Sequence, residues 1–181
     1  MFFYIAHELW FPFVEINAIM YIPAGYIVGY FINTIASIIE PFLFWTIGGR
    51  PSDNLLKVSD GQTWTGYYKV KFYEPITAIK LLKKDTKDPE ACPDKMFKYA
   101  MLEVNGKHDS RVPDFNGQYV FARSVLTVVV GLVIYFEIKY YYIYWTWGIS
   151  VGVLFLAWDR FKARAYYYAR EVLNEYLKNK D

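Results

Sequence analysis

Twenty-four consecutive residues, Ile22 to Trp45, carry a single formal charge, Glu40. About 20 apolar residues suffice to cross the hydrocarbon core of a bilayer, so this run predicts a transmembrane helix over residues 22–45. Pro23 suits its first turn, where a missing N–H costs nothing. Pro41 predicts a kink or an end near Glu40, and Gly48-Gly49-Arg50-Pro51 predicts a stop.

Two further apolar runs lie beyond a long polar stretch. Residues 119–136 predict a second span, with Arg123 near its start able to snorkel toward the interface, and residues 141–158 predict a third. Arg123 and Asp159 are separated by 35 residues, too many for one ordinary crossing. A hairpin turning at Glu137 to Tyr140 is therefore expected, in preference to one long tilted helix. The 181 residues include 18 Tyr, 14 Phe and 6 Trp, and 55% of the chain is apolar before glycine is counted. Ordinary globular chains reach about 45–50% with glycine included. A bilayer or a protein partner must cover the excess.

Residues 46–118 form the polar insert. From Arg50 to Gln118 it holds 12 basic and 10 acidic residues. Alternation over Tyr68-Lys69-Val70-Lys71-Phe72 predicts a half-buried strand, and Met96 to Val104 a second one. Asp60-Gly61 and Asn105-Gly106 are turn pairs, and Lys83 to Asp94 is expected as a charged loop. A module of about 70 residues is near the lower limit for folding alone, so it should lean on another part of the structure.

The flanks complete the expected organisation. Residues 1–21 read as an interfacial lead-in, with Phe2, Phe3, Ile5, Leu9, Trp10 and Phe13 on one helical face. Residues 159–181 read as a basic amphipathic helix continuing from the third span. Phe161, Ala165, Tyr168, Val172 and Tyr176 fall at helical spacing, and Arg160, Lys162, Arg164 and Arg170 crowd its first half. The expected fold is an all-α integral membrane protein of three transmembrane helices, with a small mixed α/β extramembrane insert between the first and second. Lys and Arg are absent before the first span and frequent after it, before the second and after the third. The positive-inside rule then places the insert and the C-terminus on the cytoplasmic or organelle-matrix side, with Lys139 the lone exception.

Small residues recur along the spans. Gly25, Gly29, Asn33 and Ser37 stand at steps of four on the first, Gly148 and Gly152 on the third, and Ser124, Thr127 and Gly131 mark the second. Such stripes let helices approach closely, so they are expected to pack helices. Glu40 is the one carboxylate near the apolar interior, and an intramembrane charge is a functional candidate by default. A relay needs several such groups in succession, however. Standing alone beside Pro41, Glu40 is expected to cap or mark the interface. The run Tyr140-Tyr141-Tyr142-Ile143-Tyr144-Trp145-Thr146-Trp147 fits an interfacial aromatic belt, with Glu137 and Lys139 at headgroup level.

Other chemistries find little support. Net charge is +2, from 20 Lys+Arg against 18 Asp+Glu, and no basic cluster suggests nucleic acid. Cys92 has no second cysteine to pair with, and His7 and His108 are too few for a three-histidine zinc site. Neither a G-x-S-x-G, an H-E-x-x-H nor a P-loop sequence is present, so no enzyme, cofactor or metal is expected. The first Lys or Arg is Arg50, after Glu8 and Glu15, which does not fit a cleavable targeting signal. The expectation is a non-catalytic accessory subunit whose partners are other membrane-protein subunits and lipid. A mitochondrial inner-membrane respiratory-chain or ATP-synthase assembly is the host chosen on general plausibility. The alternative is a small homo-oligomeric channel, transporter or membrane-permeabilising protein, with Glu40 and Asn33 lining a path.

Overall fold

The apolar run that begins at Ile22 builds one long helix, α1 (Ala18–Thr46), in a computed structural model that describes residues 18–58, 62–105 and 110–180. Residues 1–17 of the interfacial lead-in, the Asp60-Gly61 turn, and His7, Gly106 and His108 fall outside those residues, while residues 18–21 belong to α1, so that Pro23 lies inside the helix and not in its first turn. Pro41 does not end α1, which runs one and a half turns beyond it. The glycines end it instead. Gly48 and Gly49 adopt φ of 85° and 108°, and the Gly49 N–H closes the last turn on the Phe44 carbonyl at 2.8 Å.

The polar insert folds as α2 (Pro51–Leu55), β1 (Thr65–Tyr67), β2 (Val70–Phe72), α3 (Pro75–Asp85) and α4 (Pro93–Val104). The strands pair antiparallel around Tyr68-Lys69, with Thr65 opposite Phe72 and Tyr67 opposite Val70. The strand read over Tyr68 to Phe72 is shortened to Val70–Phe72, where Val70 and Phe72 are buried and Lys71 is not, while Tyr68 is exposed in the turn. Two expectations are corrected. Met96 to Val104 is helix, not strand: Met96, Ala100 and Val104 are buried at steps of four, a helical face started by Pro93. The segment expected as a charged loop from Lys83 to Asp94 loses Lys83, Lys84 and Asp85 to the end of α3 and Pro93 and Asp94 to the start of α4.

Two helices complete the chain, α5 (Val112–Lys139) and α6 (Tyr144–Lys178), and they pack against each other as a hairpin. The reversal lies at Tyr140 to Ile143, three residues later than expected, so Glu137 belongs to α5. Two backbone bonds hold it: the Tyr140 N–H donates to Phe136 O at 2.8 Å and the Ile143 N–H to Tyr140 O at 3.0 Å. The runs read separately as a span (141–158) and a C-terminal helix (159–181) are one continuous helix of 35 residues.

The molecule therefore has two layers joined by α6. In one, α1, α5 and the first half of α6 form a bundle whose outer faces are apolar and exposed. Two helices, α1 and α5, are long and apolar enough to cross a membrane. The first half of α6, rich in Tyr and Trp, is not among them. In the other layer, α2, β2 and α4 pack around the second half of α6. Phe161, Val172, Leu173 and Tyr176 are fully buried there together with Leu55, Val70, Leu82, Ala100 and Val104. The amphipathic face of α6 thus completes the core that the insert lacks. Its end is latched by Tyr176, whose hydroxyl donates to Asp85 Oδ2 at 2.8 Å, and by Lys180, 2.8 Å from the same oxygen. Lys180 and Tyr176 hold the Asp85 carboxyl below its ordinary range, while burial and the Asp85 carboxylate push the Tyr176 phenol up.

Candidate functional site

The residues best placed for a special role lie where the two layers meet. Asn33, Ala36, Glu40 and Leu43 follow one another on one face of α1 at steps of three or four, and Ala36 and Leu43 are buried. This face packs on α5. Glu40 meets two residues one turn apart on α5: Tyr119 donates from its hydroxyl to Oε1 at 2.6 Å, and Arg123 donates from Nη1 to Oε2. The second guanidinium nitrogen, Nη2, donates to Asn33 Oδ1 at 2.9 Å. The side chains of Arg123 and Glu40 are only 10% and 23% exposed, so this is a largely desolvated ion pair rather than a surface one. Arg123 Nε has no partner, and the guanidinium lies 5.7 Å from the Tyr119 ring centre.

The expectation of a solitary Glu40 is thus corrected. Its charge is matched by Arg123, and the pair offers no succession of titratable groups along α1 for a relay. The arrangement clamps α1 to α5 through three hydrogen bonds and one neutralised charge. Sequence reasoning treated Arg123 as a snorkelling side chain and missed Tyr119 as a partner. A usable signal was present: Glu40 stands near the end of the first apolar run and Arg123 near the start of the second. In neighbouring helices joined through one side of a layer, such ends lie at the same depth.

Below the clamp opens a cleft of about 220 Å³ between the layers. Glu40 and Tyr119 stand at one end, Phe44, Phe97, Met101 and Tyr168 form its apolar wall, and Arg50, Asp94 and Lys98 stand at the mouth. Asp94 occupies both cations, accepting from Arg50 at 2.6 Å and Lys98 at 2.9 Å. Those contacts, Lys98 foremost, hold the Asp94 carboxyl below its usual range. The mouth is therefore internally neutralised apart from one net positive charge. Among the described residues no group of three or more His, Cys, Asp or Glu converges as a metal site would.

The small-residue stripes are placed differently from the polar ones. Asn33 joins the clamp, and Ser37 turns its hydroxyl back to the Asn33 carbonyl at 3.0 Å. Gly25, Gly29, Gly131, Gly148 and Gly152 all face open space, since a Cβ added at any of them would meet nothing within 4 Å. The contacts of α1 with α5 and of α5 with α6 are thus made without these glycines. No protein-family model, curated protein or solved structure matches the chain.

Proposed function

We propose that this chain is a non-catalytic accessory subunit of a larger membrane-protein assembly. In this reading α1, α5 and the first half of α6 cross the bilayer, and the polar module with the C-terminus lies on the cytoplasmic or matrix side. The observation that carries the reading is the outer surface of the bundle. Ile22, Tyr26, Ile38, Trp45, Phe121, Ile138, Trp145 and Phe155 are all exposed there, and the glycine stripes lie open beside them. Exposed apolar surface on this scale marks a membrane or protein interface, and open small-residue stripes fit an approaching helix. An energy-transducing complex of the mitochondrial inner membrane is the host class we carry forward, chosen on general plausibility. The channel alternative is weakened by the clamp, because Arg123 neutralises the carboxylate that would line a path and Asn33 is engaged with it.

The test is purification of the full chain from its native membrane in mild detergent. Several unlike subunits co-migrating in fixed ratio are expected. A symmetric ring of this chain alone would overturn the accessory reading in favour of the pore.

A further inference from the structure

We infer that the seam between α5 and α6 holds an anionic phospholipid, its headgroup on Arg160 and Arg164 and one acyl chain along the apolar groove above them. The inference rests on the membrane reading of the bundle. The groove has a volume of about 410 Å³, with Phe121 and Val125 from α5 on one wall and Val153 and Leu156 from α6 on the other. All four side chains are exposed, so the groove is open to whatever surrounds the bundle. Arg160 and Arg164 close its lower end, next to the layer boundary.

Charge separates this site from the basic side chains that already have a carboxylate partner. Arg50 and Lys98 already share Asp94, and Lys69 is paired with Asp159. Among the described residues Arg160 makes no hydrogen bond or ion pair, and Arg164 donates only to the neutral amide oxygen of Gln118 on α5. Two uncompensated arginines one helical turn apart have Cβ atoms about 5–6 Å from each other, within reach of one shared phosphate. Their planar donor forks match phosphate oxygens bidentately, which a lysine does not.

Depth agrees with charge. Trp158, one residue from the acidic Asp159 and two from Arg160, donates its indole N–H to Thr46 at the end of α1, which sets the interface level on both helices. From Arg164 up to Val153 the groove rises roughly 16 Å along α6, at about 1.5 Å per residue. About 9 Å of that rise lies below Trp158, at headgroup level, and about 8 Å lies above it, the outer half of one leaflet of a hydrocarbon core about 30 Å thick. A phosphodiester at the arginines therefore places its acyl chain along the four apolar side chains. A soluble anion satisfies only the lower end.

The experiment reconstitutes the full chain in phosphatidylcholine vesicles that contain a minority of phosphatidylglycerol, with bromine on the tails of either lipid. Tryptophan quenching is then compared at equal mole fraction. Brominated phosphatidylglycerol should be enriched at the protein several-fold, at about five-fold per arginine engaged. R160Q/R164Q should fall to the phosphatidylcholine level with helicity unchanged, and R160K/R164K should recover part of the preference. K83Q/K84Q, which removes the same charge from the far end of α3, should keep all of it. V125F, which fills the groove without adding a tryptophan to the readout and leaves the arginines in place, should weaken the preference. Absence of a preference, or a preference that survives R160Q/R164Q, overturns the inference. So does displacement of the quenching lipid by inorganic phosphate, which would mean a soluble anion is read. Failure of the chain to enter vesicles would instead sink the membrane reading beneath it, and is recognised by flotation before any quenching is measured.

Discussion

Glu40 and Arg123 show how one contact changes the meaning of two residues. Alone at the apolar end of a helix, either charge is costly to bury, whereas together they bind α1 to α5 with Tyr119 and Asn33 filling the remaining bonds. Breaking such a pair from one side leaves the other charge stranded, typically at about 3–5 kcal/mol when fully buried. Glu40 is 23% exposed, so about 1–3 kcal/mol is the fair expectation here. Glu40→Gln and Arg123→Met should each lower the thermal unfolding midpoint of the detergent-solubilised chain. Arg123→Met should do more, since it leaves a carboxylate with only the Tyr119 hydroxyl. The double substitution should cost clearly less than the two single effects added together. Strict additivity would mean that the two side chains do not interact. Glu40 itself was legible in the sequence as an unusual charge. Its partner was not, because pairing across 83 residues depends on how the helices dock.

At the scale of elements, periodicity carried most of what could be read. The long apolar runs became helices, and the stretch after Asp159 kept the amphipathic face expected of it. The turn at Tyr140 to Ile143 lacks Gly, Pro and Asn, so its place was blurred by three residues. Helix α4 was misread because its mixed lysines and apolar residues imitate alternation over short windows. The i, i+4 spacing of Met96, Ala100 and Val104 was the better guide. The β-hairpin was half legible: the pattern of β2 was visible, but β1 has no alternating apolar pattern and includes Gly66. That glycine has φ of 108°, and a Cβ there would stand 2.3 Å from the Val70 carbonyl oxygen and 3.1 Å from a Leu55 methyl. The obstruction is backbone, which cannot rotate away. Gly66→Ala should therefore destabilise the module by about 1–3 kcal/mol, from the strained φ and the clash together. Limited proteolysis should show faster cutting within residues 62–105 and little change in α5. Unchanged cutting kinetics would mean that the hairpin is not part of the cooperative unit.

The whole molecule hangs on α6, whose first half faces α5 and whose second half is the centre of the polar module. Its backbone hydrogen bonds run without a break from one layer into the other, so the angular setting of the two is fixed by residue count alone. Each residue turns a helix by about 100° and advances it by about 1.5 Å. One alanine inserted between Arg160 and Phe161 would swing the Phe161, Val172 and Tyr176 face that far around the axis. The Tyr176–Asp85 latch and the burial of Phe161 would be lost together. Inserting seven residues returns the face to within about 20° of its starting azimuth, while lengthening the helix by about 10 Å. Seven should therefore preserve the protease resistance of the module better than one, even though seven is the larger insertion. If the single insertion were harmless, the helix would have to absorb it as a local bulge. The joint between the layers behaves as a keyed shaft: phase, more than length, decides whether the halves fit.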